Sequence, residues 1–347
     1  MNPDAINYIF IILSSCTLVA GIIYSLYPWS DRIHLVDIPN HRKIHHIPTP
    51  KIGGLAIALV LLIEMVMWRS SFEVDFRILL SFLIFFIFSL LDDLFDLSSL
   101  KQFFLHVIAA SVAVVYGNLQ VHDLGQLFGG PALVLSPLVS QLFSIIALVG
   151  VINAFNMFDG VNGLLGSITI LLASLFLTLG IFYQQNQATI LAAILLGSFL
   201  GFMIFNMPHT KKNKNRKIVF MGDMGSSIAG FMVYWITIEM TQTQSMPSIS
   251  PISMVWFLAL PLMDMLRVML KRLNSKAALG RSDNIHFHHI LLAKKWNELS
   301  IVKCALTICL FFICIGCLSF FVVPDVILFA FFWIVFFLYS YQLNHKL

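Results

Sequence analysis

The chain has 347 residues, of which 59% are hydrophobic and 11% charged, and its mean hydropathy is +0.89. Repeated apolar runs near bilayer-crossing length exclude the soluble globular classes. The net charge of +4 comes from Lys and Arg clustered between those runs, so it reports topology first and attraction to anionic lipid or nucleotide phosphates second.

Eleven candidate spans follow in chain order, over 8–27, 52–68, 76–91, 102–117, 138–155, 164–182, 189–207, 225–240, 252–270, 301–323 and 325–343. The first is long and lacks a basic n-region and a small-residue cleavage site, so it reads as a span and not as a signal peptide. Taking alternate loops as one side collects 19 of the 21 Lys and Arg there, with Arg69 and Arg77 opposite. The positive-inside rule then places the N-terminus outside and the C-terminus in the cytoplasm. The expectation is an all-α, polytopic integral membrane protein of about 11 transmembrane helices. A single domain over 1–347 carries cytoplasmic loops around 28–51, 92–101, 153–163, 208–226 and 271–300. No internal repeat is visible. Cys304, Cys309, Cys314 and Cys317 share one span, and despite the Cys314-x-x-Cys317 spacing they read as small hydrophobes.

The loops on the cytoplasmic side hold the chemistry. Residues 37–54 combine Arg42, Lys43, His45, His46 and Lys51 with prolines that fix turns and a Gly53-Gly54 pair that admits a close helix. A plain positive-inside loop is the competing reading. Asp92 and Asp93 close the third span, where two carboxylates oppose the helix dipole and call for a divalent cation, Lys101 or a basic loop. If the helix continues, Asp96 returns to the Asp92 face. Asn156, Asp159 and Asn162 recur every three residues, so one more helical turn would align them, with Gly160, Gly163 and Gly166 as a neighbouring small row. Helix packing explains the glycines but not an acid at the membrane edge.

Gly222-Asp223-Met-Gly225-Ser226 opens the eighth span with amides suited to anions and a carboxylate suited to a metal. The bland alternative is an ordinary N-cap. Phe220 is a candidate stacking platform for a base. Asp283, His286, His288 and His289 crowd a further loop. The spacing is not a familiar zinc pattern, and phosphate contact or acid–base work fits better.

Taken in order, these stretches resemble the polyprenyl-phosphate N-acetylhexosamine-1-phosphate transferase family. The resemblance rests on Arg42-Lys43-x-His45, Asp92-Asp93-x-x-Asp96, Asn153-Ala-x-Asn156-x-x-Asp159-Gly160, Phe220-Met-Gly222-Asp223-x-Gly225-Ser226 and Asp283-x-x-His286-x-His288-His289. The His-x-His-His form and Pro261-Leu-Met-Asp264-Met look like the branch that uses UDP-GlcNAc and undecaprenyl phosphate, at the start of enterobacterial common antigen and many O-antigens. One departure stands out, because the family commonly has Asp-Gly-x-Asp-Gly and the second acid here is Asn162. An amide would weaken a metal site but can both donate to and accept from a uracil, and the second role is preferred.

The resemblance implies that undecaprenyl phosphate attacks the sugar-bearing phosphorus of UDP-GlcNAc and that UMP leaves, at the inner membrane of a bacterium with the active site facing the cytoplasm. It implies Asp92, Asp93, Asp159 and His286 as catalytic groups, and Asp223 with Asp92 and Asp93 as ligands of Mg²⁺ or Mn²⁺. Arg42, Lys43, His45, Asn153, Asn156, Asn162, Phe220, Asp283, His288 and His289 would bind substrate. GalNAc or FucNAc donors are alternatives, a homodimer is allowed for, and no nucleic acid is expected. A cation or anion transporter is the rival from another class, since intramembrane acids also line ion paths.

Overall fold

The computed structural model of the chain describes residues 3–39, 47–69, 76–208, 218–242, 249–274, 285–320 and 323–345. Long apolar runs with few breakers become helices: α1 (Pro3–Leu26), α2 (Gly53–Met67), α3 (Phe76–Phe95), α4 (Ser99–Ser111), α5 (Pro137–Phe158), α6 (Leu164–Phe182) and α7 (Asn186–Asn206). They continue as α8 (Gly222–Thr241), α9 (Pro251–Phe257), α10 (Ala259–Asn274), α11 (Phe287–Ala293), α12 (Glu298–Cys317) and α13 (Asp325–His345). Two short strands, β1 (Val36–Asp37) and β2 (Thr49–Pro50), pair antiparallel with Val36 opposite Pro50.

All eleven expected spans coincide with helices, yet among the described residues eight are long and apolar enough to cross a bilayer, or nine if a bent pair counts as one. α2 has only 15 residues, and α9 and α10 bend by 78° at Leu258. Pro261 accounts for the break: it has no N–H to give the Phe257 carbonyl and its ring collides there, whereas it is tolerated in the first turn of a new helix.

α8 is the centre of the bundle. It is buried along nearly its whole length and packs on α2, α3, α5, α6 and α7. Small residues let the backbones meet: a Cβ on Gly54 would fall 2.4 Å from the Gly225 nitrogen, so α2 crosses the start of α8 in direct backbone contact. The close approach expected of Gly53-Gly54 is therefore made to α8.

The contacts that tie loops and helix ends together fall into two sets of different chemistry. One set joins Lys51 to Asp93, Gly53 to Phe220, Asp93 to the start of α8, Gly160 to His288 and Asn162 to Glu298. The other uses neutral and acidic groups: Gln242 Nε2 donates to the Asp123 carbonyl at 3.0 Å, and Asp325 accepts from Ser250 at 2.7 Å and from the Gln126 amide at 3.0 Å.

Candidate active site

α3 ends in Asp92 and Asp93, which are 5% and 3% exposed, and α8 starts directly beside them. Asp93 Oδ1 accepts the Asp223 amide at 3.0 Å, and its Oδ2 accepts the Met224 amide at 3.3 Å. A helix start carries unpaired N–H groups and partial positive charge. Here the protein supplies the anion itself, so the anion site expected at these amides belongs to Asp93. Gly222 must be glycine twice over: its φ is +72°, and a Cβ would lie 2.6 Å from Asp93 Oδ2.

Lys51 neutralises the end of α3. Its Nζ donates to the Asp93 carbonyl at 3.3 Å and to Asp96 Oδ1 at 3.2 Å. Burial lowers the affinity of this ammonium for its proton, but Asp93, Asp96 and Asp37 outweigh burial and hold its pKa above the usual value. The cation expected at this helix end thus comes from the basic loop. α3 stops at Phe95, and Asp96 takes a φ of +43° with its side chain 90% exposed, so it does not return to the Asp92 face.

Asp223 is the hub of the acids, with Asp92, Asp93 and Asp159 each within its electrostatic range. Asp159 follows the last residue of α5, and its carboxyl is pushed up to about 7, first by burial and then by Asp223. Carboxylates gathered around one another in this way are the donor set of a divalent-metal or phosphate-bridging site. Among the described residues, however, no three His, Cys, Asp or Glu side chains gather around one metal position. The expected trio of Asp223, Asp92 and Asp93 is not assembled as a cage, because both Asp93 oxygens are turned onto the α8 amides.

The turn after α5 departs from the expected pattern. α5 ends at Phe158 and α6 begins at Leu164, so Asp159 and Asn162 lie in a turn and no helix aligns them with Asn156. Gly163 caps α6 with a φ of +75°, and its amide donates to Asn206 Oδ1 at 2.7 Å. Asn206 Nδ2 in turn donates to the Val219 carbonyl at 2.8 Å, which ties this turn to the segment carrying Phe220. Asn162 Nδ2 reaches both Glu298 oxygens, at 3.2 and 3.3 Å, at the start of α12. An aspartate there would face a second carboxylate, so Glu298 gives the departure at 162 a physical reason. Asn153 and Asn156 stand half-buried on the last two turns of α5. Phe220 is also half-buried, its backbone pinned by its amide to the Pro50 carbonyl at 2.8 Å and by the Gly53 amide to its own carbonyl at 3.1 Å.

The histidine loop is held by Asp264 of α10, which is 1% exposed. Asp264 Oδ2 meets His286 Nδ1 at 2.9 Å, and Oδ1 accepts from the Phe287 amide at 3.0 Å, Arg267 Nη2 at 3.0 Å and the Tyr339 hydroxyl at 3.2 Å. Arg267 also donates to the Ile285 carbonyl and, through Nη1, to Asn344 Oδ1 at 3.2 Å. With Nδ1 against a buried carboxylate, the imidazole is held in one orientation. His288 packs on the turn after α5 so closely that a Cβ on Gly160 would fall 1.9 Å from its Nε2.

Neither ring nitrogen of His288 has a hydrogen-bond partner among the described residues. Burial, then His289 and His286, lower its pKa to about 3, against the opposing pull of Asp264. Burial and then His286 take His289 to about 4. Both rings are neutral at pH 7, and they form no metal-holding group with His286 among the described residues.

Arg42, Lys43, His45 and Asp283 lie outside the described residues. The sequence reading did not assign roles to Asp264, Arg267, Tyr339, Asn206 or Glu298. Asp264 stood in the Pro261-Leu-Met-Asp264-Met resemblance, and with Arg267 it left a second signal, an acid and a base at i,i+3 within an apolar stretch.

Residues 76–241 match glycosyl transferase family 4. The chain is 30% identical over 317 residues to the undecaprenyl-phosphate alpha-N-acetylglucosaminyl 1-phosphate transferase of Escherichia coli K12, covering 89% of this chain and 84% of that protein. It is 32% identical over 266 residues to the protein of that name from E. coli O157:H7, with 75% and 70% covered, and 30% identical over 324 residues to that of Haemophilus influenzae, with 92% and 89% covered. The segment carrying Asp92, Asp93, Asp159 and Asp223 thus falls within the shared family region, and three quarters or more of the chain aligns with these transferases: the chain belongs to glycosyl transferase family 4 and is a phosphoglycosyltransferase.

Proposed function

We propose that the chain transfers GlcNAc-1-phosphate from UDP-GlcNAc to undecaprenyl phosphate, releasing UMP and leaving undecaprenyl-diphospho-GlcNAc, as the first step of a cell-surface polysaccharide such as O-antigen or enterobacterial common antigen. The observation that carries this reading is the convergence of Asp92 and Asp159 on Asp223, with His288 of the histidine loop set against Gly160 next to Asp159. Family membership sets aside the transporter alternative, and the printed names of the relatives support the donor and acceptor.

The acceptor's phosphate oxygen attacks the sugar-bearing phosphorus in a single displacement. Such chemistry depends on positioning and charge neutralisation more than on covalent help from the protein. Asp223 and Asp92 would hold Mg²⁺ or Mn²⁺, two carboxylates being a common protein share of a shell completed by water and phosphate oxygens. When bound, the ion would neutralise phosphate charge. Asp93 sets the start of α8 and so places Asp223. Asp92 orients or deprotonates the lipid phosphate.

Asp159, Asn153, Asn156 and Asn162 hold the nucleotide side, with Phe220 under the uracil. His286 faces the phosphates through Nε2, and His288 and His289 contact sugar or phosphate as neutral groups. Arg42, Lys43, His45 and Asp283 complete the phosphate contacts. The basic loops lie at the cytoplasmic face of a bacterial inner membrane.

Purified protein given undecaprenyl phosphate, Mg²⁺ and radiolabelled UDP-GlcNAc is expected to move label into the organic phase and release UMP. EDTA or Asp223→Asn is expected to abolish it. Transfer only from another UDP-HexNAc would correct the donor; no transfer from any donor by folded protein would sink the proposal.

A further inference from the structure

A groove of about 510 Å³ runs between α10 and α13 at the end of the bundle that carries the basic loops. Lys271, Arg267 and Asn344 line its polar part, while Leu270, Phe336 and Phe337 line its apolar part. The two kinds of surface lie side by side, and the apolar one continues outward: Leu270 is 45% and Phe337 63% exposed. No Asp or Glu lines the groove among the described residues.

Arg267 is 1% exposed, and through Nη2 it faces Asp264 and Ile285 while through Nη1 it faces Asn344 in the groove. Its Nε is buried with no hydrogen-bond partner among the described residues. What the groove receives from Arg267 is the positive charge behind Asn344, whose Oδ1 accepts from Nη1 at 3.2 Å. Lys271, exposed in the last turn of α10, adds an ammonium to the groove, and no carboxylate lies beside it there among the described residues.

We infer that the α10–α13 groove binds an anionic phospholipid, its phosphodiester on Lys271, Arg267 and Asn344 and its acyl chains along Leu270, Phe336 and Phe337. A soluble anion would use only the basic part, and a neutral lipid only the apolar part. Basic pockets between membrane helices recognise anionic headgroups by this combination. The bound phosphodiester shares Arg267 with Asp264, and so lies one residue from the support of His286.

Native mass spectrometry on the full chain, released from nanodiscs of phosphatidylethanolamine and phosphatidylglycerol, tests binding without reference to the reaction. Phosphatidylglycerol is expected to be retained over phosphatidylethanolamine, and Lys271→Gln to reduce its retention about fivefold, the share of one lysine near an anionic headgroup. A photoactivatable phosphatidylglycerol is expected to label α10 and α13, with label reduced in Asn344→Ala, which removes the amide. Excess undecaprenyl phosphate is expected to leave the labelling unchanged. Equal retention of both lipids, labelling elsewhere, or displacement by undecaprenyl phosphate would each overturn the inference.

Discussion

At the scale of single residues, the site is built by contacts too close for any side chain but the one present. Gly160 is the sharpest case, because the space a Cβ would take is already held by the His288 ring at 1.9 Å. Gly160→Ala must displace either the ring or the turn that carries Asp159. Overpacking of this kind costs about 1–3 kcal/mol, and the displaced groups are ones we place at the donor, so sugar-lipid transfer should fall with stability. The partner can be identified by a double-mutant cycle on thermal unfolding. His288→Ala should remove most of the penalty that Gly160→Ala carries; an unchanged penalty would mean that the alanine is resisted by something other than the ring. Asn162 follows similar logic, since its amide is what lets Glu298 approach within 3.2 Å.

At the scale of elements, the join of α3 to α8 decides where Asp223 stands. Asp93 accepts from two amides of α8, so Asp93→Ala leaves two N–H groups at a buried helix start without their acceptor. A lost cap with unsatisfied donors costs about 1–3 kcal/mol. Asp93→Asn keeps one acceptor oxygen and should recover part of that loss in the midpoint of thermal unfolding; equal loss in both variants would point to the charge and not to the cap. The sequence allowed the helices to be located, because each is a long apolar run, and it allowed the acids to be noticed, because carboxylates at the ends of such runs are expensive. It did not separate Asp92 from Asp93. Neighbours on a helix point about 100° apart, and which one meets α8 depends on how two helices 130 residues apart in the chain are packed. The pairs Asn162 with Glu298 and Asp264 with His286 were hidden for the same reason, being made by tertiary contact between distant segments. The bend at Leu258 was legible in principle, since Pro261 stands inside the run read as one span.

At the scale of the whole molecule, one end of the bundle concentrates buried ionisable groups, and this links overall stability to pH. The groups pull in opposite directions. Asp159, raised to about 7 from an ordinary carboxylate value, stabilises the fold at low pH and loses that contribution as pH rises. His288, lowered to about 3, does the reverse: folded protein keeps it neutral while the unfolded chain takes up a proton below about 6.5. Its contribution is therefore complete above that pH and is lost as pH falls toward the folded value. Comparing wild type with His288→Asn isolates this residue, because Asp159 and His289 are common to both proteins. Between pH 7.5 and pH 5 the wild type should lose about 2 kcal/mol relative to the variant, the free energy of protonating one unfolded histidine that the folded state excludes. Thermal midpoints in detergent at the two pH values give the comparison, and parallel shifts in both proteins would show that His288 takes up its proton in the folded state.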